Sequence, residues 1–588
     1  MAKKIYQVDD FVLDAETKRL FHAGKIVSLS SKAFDILEHL IENRGKIVKK
    51  SELLETVWSD SFVEESNLPV HISALRRVLC ERRGESRFIK TIPGRGYSFV
   101  ASVEELNSVP TVSVSSQSTN PENSNESVMI AVLPLTFDLV NSDFQYLADG
   151  VTQSLIDDLS QIPNLKVLAY SAVRQYRERH LDLQEIGFLL GANQIVSGHV
   201  SGYKNKLLIN VELFDAQDKS HIWSFHETFD LNDIFRVKNE ISIAIANKLK
   251  LKFTDSNKGS FSRCKEIDPE AQKQYFRAKF LWDSYPLVAD IESILKQMLN
   301  YYQQAIKIDS NYALAYIGIG RVYCTLHNYH LCEKNEAYEK AQEALQIALH
   351  DNYELSQTHI LKGAIEIYFE NNVVNAEESF NRAIELNLNN AEAYYWKSHA
   401  ALYLGRFEEA IAAANKAIQF DQASILFIEQ LIRIYFFKED YNKTIYEAEE
   451  VLEFGKNSVG AKIFLALSYA HLGFFHKALE SIARTIESRC CPETLLTKAY
   501  IYALMNDKFE TERIIFNVLD QFDEVQIDAM DLACAYSAIG EMEIAFNKFE
   551  KAIAERSSSL CGLKIDTRYK ILRSDTRFKD FLKRLQLN

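Results

Sequence analysis

Small and apolar residues recur at a fixed interval in the second half of the chain. Six equivalent positions, each followed by Ile or Leu, lie 34, 34, 34, 33 and 34 residues apart; they are Ala383, Ala417, Val451, Thr485, Val518 and Ala552. Two earlier copies, Ala305 and Ala348, continue the series with intervals of 43 and 35 residues. A period of 34 predicts stacked helical hairpins, because each hairpin leaves an apolar face that only a neighbour can cover. Residues 270–588 are therefore predicted to form an all-α solenoid of about eight repeats.

The first hundred residues follow a different pattern. Apolar stripes at helical spacing predict three helices, over residues 31–41, 51–58 and about 68–81. The apolar segments 88–92 and 97–100 flank a turn with two glycines, which predicts a β-hairpin after the third helix. Three helices followed by a basic hairpin are the outline of a winged helix-turn-helix, an α+β fold.

The third helix has two chemically distinct sides. Leu68, Ile72, Leu75 and Leu79 are spaced 4, 3 and 4 residues apart and predict a buried stripe. The opposite side is small, polar and basic; it consists of Val70, Ser73, Ala74 and Arg77, flanked by His71 and Arg76. Small outward side chains allow close approach to base edges, and arginine neutralises phosphate. The alternative interpretation is an ordinary solvated helix face.

The centre of the chain contains a polar stretch and then alternating elements. Residues 103–127 are rich in Ser, Asn and Thr without any period, which predicts a flexible linker. Beyond it, helical patterns at 148–160 and 182–190 separate strand-like segments; these segments are 128–135, 166–169, 194–200, 206–214 and 221–225. The order, which begins β-α-β-α-β-β, predicts an α/β domain over residues 128–255.

Composition and charge limit the classes of function that the chain can have. A chain of 588 residues that is 47% hydrophobic and 25% charged is expected to form several folded domains. The net charge is −14, yet residues 1–101 hold an excess of Lys and Arg, so the rest of the chain is acidic. This asymmetry favours a polyanion as the partner of the first domain alone. No apolar run approaches the roughly 18 residues that a membrane span needs, so we expect a cytoplasmic protein.

Chemistry-bearing motifs are sparse. The eight cysteines form no CxxC pair and no zinc spacing, so neither a metal nor a disulfide framework is expected. Asp149, Asp157 and Asp158 are interpreted as a solvated helix face rather than as a metal or acid-base site. Because no catalytic motif is visible, we expect neither an enzyme nor a cofactor.

Residues 63–79 and 88–100 resemble the OmpR/PhoB-type winged-helix DNA-binding domain. The resemblance covers nearly all of residues 4–101, which assigns residues 1–102 to this domain, and it implies four N-terminal strands, at 5–8, 11–13, 19–21 and 25–29. In that family the third helix enters the major groove and the wing reaches the adjacent minor groove. The resemblance therefore implies these DNA-binding residues: Asn67, Val70, His71, Ser73, Ala74, Arg76, Arg77, Thr91 and Arg95. Two positions depart from the family, since Ala74 stands where members often have arginine, and Pro93 where some have the wing arginine, which Arg95 replaces.

The remaining segments also resemble known families. Residues 128–250 resemble the TolB-like α/β domain, residues 270–588 resemble tetratricopeptide repeats, and the whole order resembles the HilA class of bacterial transcription activators. The resemblance implies a sequence-specific regulator, an activator, that binds double-stranded promoter DNA, with a homodimer on DNA as one option. The solenoid is expected to receive a ligand signal or a protein such as RNA polymerase or a regulatory protein. No receiver domain precedes the head, so control by phosphorylation is not expected. The alternative is an interaction scaffold whose winged helix no longer binds DNA.

Overall fold

The chain folds into three parts that each have an apolar core. The computed structural model describes residues 4–23, 25–27, 29–58, 67–81, 85–92, 94–106, 128–137, 145–162, 165–177, 182–203, 206–230, 234–249, 267–282, 290–350, 355–453, 458–555 and 557–584. Within these residues we distinguish a head (4–106), a middle domain (128–249) and a solenoid (267–584). The predicted multidomain architecture is confirmed, with a winged helix first, an α/β domain next and helical hairpins last.

The head is built from two small sheets and three helices. Its elements are β1 (Ile5–Val8), β2 (Phe11–Asp14), β3 (Arg19–His22), β4 (Lys25–Val27), α1 (Ser31–Glu42), β5 (Val48–Lys49), α2 (Lys50–Val57), α3 (Asn67–Val78), β6 (Ile89–Ile92), β7 (Gly96–Phe99) and β8 (Glu104–Leu106). One sheet has the order β4-β3-β2-β1-β8, and the other has the order β5-β7-β6. The hairpin β6–β7 is the predicted wing.

The prediction that the linker begins at residue 103 is wrong at its start. Glu104–Leu106 form β8, which pairs antiparallel with β1 and extends the first sheet by one strand. The polar composition of this segment concealed a strand, because an edge strand of the sheet can present polar residues to water. Residues 107–127 of the predicted linker lie outside the described residues.

The middle domain is one mixed sheet with helices packed against it. Its elements are β9 (Val128–Val132), β10 (Thr136–Phe137), α4 (Gln145–Ser160), β11 (Leu165–Val167), α5 (Tyr170–Arg174), α6 (Leu183–Leu190), β12 (Gln194–Tyr203), β13 (Lys206–Asp215), β14 (His221–Asp230) and α7 (Ile234–Lys248). Strands β11, β9 and β12 are parallel, whereas β12, β13 and β14 are antiparallel. All predicted strand and helix segments of this domain are present, with β10, α5 and α7 in addition.

Helix α6 has clear signals at both of its ends. The Asp182 carboxylate accepts a hydrogen bond from the amide of Gln184 and caps the N-terminus. Gly191 ends the helix with a φ of 70°, a left-handed conformation that glycine adopts without strain. These signals position a short apolar helix at the side of the sheet that faces the head.

Sixteen helices of the described residues form the eight predicted hairpins. They are α8 (Pro269–Trp282), α9 (Ile291–Ile308), α10 (Ala313–Asn328), α11 (Lys334–His350), α12 (Ser356–Tyr368), α13 (Val373–Leu386), α14 (Ala391–Tyr403), α15 (Phe407–Phe420), α16 (Ile425–Phe437), α17 (Tyr441–Glu453), α18 (Val459–His471), α19 (Phe475–Ser488), α20 (Pro492–Leu504), α21 (Lys508–Gln521), α22 (Ala529–Ala538) and α23 (Met542–Ala554). Two short helices, α24 (Lys570–Ser574) and α25 (Arg577–Arg584), follow. All eight periodic small positions found in the sequence are buried.

The turns inside the last six hairpins repeat with the same period. Left-handed backbone conformations occur at positions 34, 34, 34, 33 and 34 residues apart; they are Asn371, Gly405, Glu439, Gly473, Asn506 and Gly540. This conformation ends the first helix of a hairpin and reverses the chain, and glycine or asparagine adopts it at low cost. The 34-residue sequence period is therefore also a backbone period.

The solenoid forms hydrogen bonds with the backbone of the middle domain. The Asn389 side-chain amide donates to the carbonyl oxygens of Ser160 (2.8 Å) and Leu165 (2.7 Å). The Ala169 amide donates to the Phe420 carbonyl at 2.9 Å. The two parts therefore share a packed interface. No described helix has the length and apolar character needed to cross a membrane.

Candidate nucleic-acid interface

Helix α3 is fixed to the head by its apolar stripe. Leu68, Ile72, Leu75 and Leu79 are each at most 2% exposed and belong to the core of the head. Pro69 lies in the first turn, where a missing N–H leaves no intrahelical hydrogen bond unmade. The structure thus confirms the predicted buried side of the helix.

The wing is held in place by a carboxylate and a glycine. The Glu81 carboxylate accepts the backbone amides of Arg87 (2.7 Å), Phe88 (3.3 Å) and Ile89 (3.3 Å). Burial raises the pKa of Glu81, and these amides together with a nearby arginine oppose that rise. At Gly96, where φ is 150°, a Cβ atom would lie 2.0 Å from the Val48 carbonyl oxygen. Only glycine lets β7 pass β5 at this distance.

Arg76 joins α3 to the wing. Its Nε and Nη2 donate to the Ile89 carbonyl at 3.3 and 2.9 Å, and Nη2 also donates to Thr91 Oγ1 at 2.8 Å. These bonds hold the third helix and the first wing strand in one orientation. The guanidinium that we predicted to contact DNA therefore has a positioning role inside the head.

The predicted DNA-binding residues differ widely in exposure. Ser73, Arg77 and Arg95 are exposed, and Asn67, Val70 and Thr91 are half-buried. His71, Ala74 and Arg76 are only 3%, 1% and 8% exposed. The prediction that these three face solvent is wrong, because other parts of the chain pack on that side of α3.

The middle domain covers part of this side of α3. Ala74 belongs to the core of the middle domain, and Val70 packs against the same core. Phe188, on α6, contacts the cores of both the head and the middle domain. His71 Nε2 lies 3.5 Å from Glu185 Oε1, and its ring meets the Trp58 ring edge-on at 5.2 Å. The helix predicted to enter a DNA groove is thus packed against α6.

The end of α6 binds Arg77. The Arg77 Nη1 donates to the Leu189 carbonyl at 3.2 Å, and Nη2 donates to the Phe188 carbonyl. A Cβ atom at Gly191 would lie 3.0 Å from Arg77 Cζ, so the guanidinium sits directly on the C-terminus of the helix. A cation is favourable there, because the carbonyl end of a helix carries partial negative charge.

The solenoid adds two carboxylates from α17. Glu450 Oε1 accepts from Arg76 Nη1 at 3.1 Å, and the side chains of this pair are 16% and 10% exposed. Glu453 Oε1 accepts from the Gly94 amide in the wing turn at 3.4 Å. Burial raises the pKa of Glu453, an effect that Lys50 and the Gly94 amide oppose. Residues three apart lie on one face of a helix, so a single face of α17 spans α3 and the wing.

Sequence reasoning did not find these covering residues. Arg76 and Glu450 are 374 residues apart, and no local pattern pairs them. Glu185 and Phe188 belong to a predicted amphipathic helix with nothing in it to indicate a second domain as the neighbour. The only sequence signal related to this contact was the charge asymmetry of the chain, because an acidic body attracts a basic head.

The aspartates that the sequence offered as candidates for a metal or acid-base site form ion pairs with basic side chains. Asp149 is 1% exposed and forms an ion pair with Arg177. Asp158 binds Lys238 Nζ at 2.6 Å and Ser242 Oγ at 3.0 Å. The interpretation of these two as solvated residues is wrong, because α7 and the loop after α5 cover them. In the described part of the chain, no group of three His, Cys, Asp or Glu side chains could hold a metal ion.

Comparisons with known proteins agree with this division of the chain. Residues 24–99 match the family "Transcriptional regulatory protein, C terminal", and residues 391–424 match the tetratricopeptide repeat. The head is a winged-helix domain of the OmpR/PhoB type. The transcriptional regulator HilA of Salmonella typhi is 25% identical over 427 residues, which are 72% of this chain and 71% of HilA.

Two further similarities cover smaller parts of the chain. A putative adenylate cyclase 3 of Rhizobium meliloti is 28% identical over 198 residues, 33% of this chain and 32% of that protein. The solved DNA-binding domain of Klebsiella pneumoniae RstA in complex with the RstA box is 28% identical, covering 16% of this chain and 97% of that one, with a TM-score of 0.16. The adenylate cyclase similarity concerns only a third of each protein, so it assigns no activity to this chain.

Proposed function

We propose that the chain is a sequence-specific transcription regulator whose OmpR/PhoB-type head binds promoter DNA. In this proposal α3 enters the major groove and the wing turn lies against the adjacent minor groove. The exposed residues Ser73, Arg77 and Arg95 supply the contacts closest to DNA, and Asn67, Val70, His71, Ala74 and Thr91 line the same surface. Its affinity for DNA would come largely from arginine contacts with phosphate.

One geometric observation carries the proposal. Because a single face of α17 reaches both Arg76 and the Gly94 amide, α3 and the wing turn lie on the same surface of the head. Arg76 holds the two elements together through Ile89 and Thr91. A fixed helix beside a fixed hairpin can engage neighbouring grooves at once.

The proposed regulatory role involves the solenoid as well as the head. HilA is a transcriptional regulator by name, and we propose that this chain likewise regulates transcription and that it activates its target promoters. The solenoid would bind a protein such as RNA polymerase or a regulatory protein, and control would not depend on phosphorylation. Binding to promoter DNA would take place in the cytoplasm, with a homodimer as one arrangement on palindromic sites.

A binding experiment on the head tests this function. The fragment 1–106 contains its own core and both sheets, so it is expected to fold alone. It should bind duplex DNA with an affinity that falls steeply with salt. Arg77→Ala and Arg95→Ala should each weaken binding, whereas Arg44→Ala, which removes the same charge beside Glu105, should do so much less. If the fragment fails to bind at low salt, DNA binding is not its function.

The second candidate is an interaction scaffold. The burial of His71 and Ala74 under the middle domain favours it, because a head that never binds DNA could keep this surface permanently covered. A scaffold predicts that fragment 1–106 binds no DNA even when its surface is freed. The same measurement therefore separates the two functions.

A further inference from the structure

The covering residues lie on the centre of α3 and on the wing turn, two parts of the surface that would face DNA, while Ser73 and Arg95 stay exposed. Helix α6 lies along Val70 and Ala74, near the middle of the groove-facing side of α3. Its C-terminal carbonyls hold Arg77, and two carboxylates of α17 hold Arg76 and the wing turn. Since Ala74 is 1% exposed, no base edge can approach the centre of α3 in this arrangement.

The chemistry of the covering groups matches that of DNA. The carboxylates of Glu450, Glu453 and Glu185 lie against an arginine, a backbone amide and a histidine of the head. The carbonyl end of α6 is a further negative group, placed against Arg77. Phosphate oxygens would use the same kinds of donor. The body therefore competes with DNA for the same donors.

We propose that α6 and α17 form an intramolecular clasp that blocks the DNA-binding surface, and that the head binds DNA only after it separates from them. The inference rests on the proposed DNA-binding function. The structure is then the closed state, and an open state must be populated for DNA binding. The apparent affinity of the whole chain is then the affinity of the free head multiplied by the open fraction.

The two halves of the clasp are mechanically connected. The middle domain, which supplies α6, is hydrogen-bonded to the solenoid through Asn389 and Phe420. The solenoid supplies α17 from its fifth hairpin, α16–α17. A protein that binds the solenoid and moves the connected solenoid and middle domain away from the head would withdraw Glu450, Glu453 and α6 together. Such a shift would open the clasp without touching the head.

A charge-neutral substitution tests the clasp within the full-length chain. Phe188→Ser removes the side chain that contacts both cores and changes no charge, so long-range repulsion between the acidic body and DNA stays the same. Glu450→Gln removes one of the two carboxylates with which α17 binds the head. Glu480→Gln removes an equal charge from an exposed residue paired with Arg484, and it serves as the matched control. The probe is a fluorescent duplex of about 40 base pairs and mixed sequence, in about 50 mM KCl.

The expected order of affinity is fragment 1–106, then Phe188→Ser, then Glu450→Gln, with wild type and Glu480→Gln weakest. We expect Phe188→Ser, whose net charge equals that of wild type, to bind at least about tenfold more tightly than wild type, which corresponds to an open fraction of about one tenth or less in wild type. If Phe188→Ser and Glu450→Gln bind no more tightly than wild type and Glu480→Gln, the clasp is overturned, and DNA binding by the fragment still stands. If the fragment itself does not bind, both proposals fail. Should Phe188→Ser unfold the middle domain, the comparison of Glu450→Gln with the charge-matched Glu480→Gln still decides.

Discussion

Glu450 on the solenoid lies 3.1 Å from Arg76 on the third helix of the head, although 374 residues separate them. Arg76 also binds Ile89 and Thr91, so one guanidinium connects the helix, the wing and the body. A buried guanidinium needs several acceptors to offset the loss of water, and here the head and the solenoid supply them together. The same side chain therefore shapes the proposed DNA-binding surface and connects it to the solenoid that covers it.

Replacing Arg76 with lysine should loosen the wing. A lysine ammonium cannot reproduce the planar set of donors that reaches Ile89, Thr91 and Glu450 together. We expect Arg76→Lys to increase hydrogen exchange at the amides of β6. Arg44→Lys, at an exposed pair with Glu105, is the control and should leave β6 unchanged. Equal exchange in β6 for wild type and Arg76→Lys would show that the arginine does not position the wing.

The two glycines of the wing should respond differently to alanine. At Gly96 a Cβ atom would lie 2.0 Å from the Val48 carbonyl oxygen, so Gly96→Ala should lower the free energy of unfolding of the head by about 3 kcal/mol. At Gly94, where φ is 67°, nothing lies within 4 Å, and Gly94→Ala should cost only about 1 kcal/mol of left-handed strain. Urea unfolding of fragment 1–106 measures both values. A larger loss for Gly94→Ala would contradict the close passage of β7 and β5.

Alanine should also destabilise the solenoid where two helices of a hairpin pack closely at a glycine. A Cβ atom at Gly363 on α12 would lie 2.3 Å from Phe380 Cε1 on α13. Gly363→Ala should therefore destabilise the solenoid by about 2 kcal/mol. At Gly562, where the nearest atom would be 4.0 Å away, Gly562→Ala should change stability by no more than about 1 kcal/mol. Thermal unfolding of the full chain compares the two, and equal stability would mean that this hairpin is less tightly packed than the structure indicates.

Acid should weaken the solenoid. Burial lowers the pKa of His327 to about 4 from an ordinary 6.5, and its ring stacks on Phe369. Burial also lowers the pKa of His399 and His471. The unfolded chain takes up these protons near pH 6.5 and the folded chain does not. The stabilising contribution is therefore complete above about pH 6.5 and is lost as the pH falls towards about 4.

The histidine effect can be separated from other acid effects by substitution. His327 alone should account for about 2 kcal/mol between the two pH limits, allowing for its partial exposure. His327→Phe keeps the stacked ring and removes the titrating group. We expect the variant to show a smaller drop in melting temperature between pH 7 and pH 5 than wild type. An identical drop would assign the acid sensitivity to other groups.

Sequence patterns predicted the elements of this chain well, because those elements depend on local rules. The buried stripe of α3, the wing segments and the 34-residue period all arise from spacing and from residues such as Gly405 at turns. The strand Glu104–Leu106 was missed because its residues are polar and its formation depends on pairing with β1. Local composition could not reveal a partner strand a hundred residues earlier.

The candidate site was predicted only in part for the same reason. Helical periodicity correctly distinguished the two sides of α3, yet it could not tell water from a second domain as the neighbour of the outer side. Ala74 is small enough for close approach to a base edge, and it is equally suited to packing against α6. What faces that side depends on contacts with residues 188 and 450, which no pattern near α3 encodes.

Thiol labelling of α3 would test most directly whether this surface is covered. Ala74→Cys places a thiol at the centre of the covered face, and Ser73→Cys places one at the neighbouring exposed position. Mass spectrometry of the α3 peptide can follow alkylation in the full chain and in fragment 1–106. The clasp predicts that the position-74 thiol reacts slowly in the full chain and quickly in the fragment, while the position-73 thiol reacts quickly in both. Equally rapid labelling of position 74 in both proteins would contradict it.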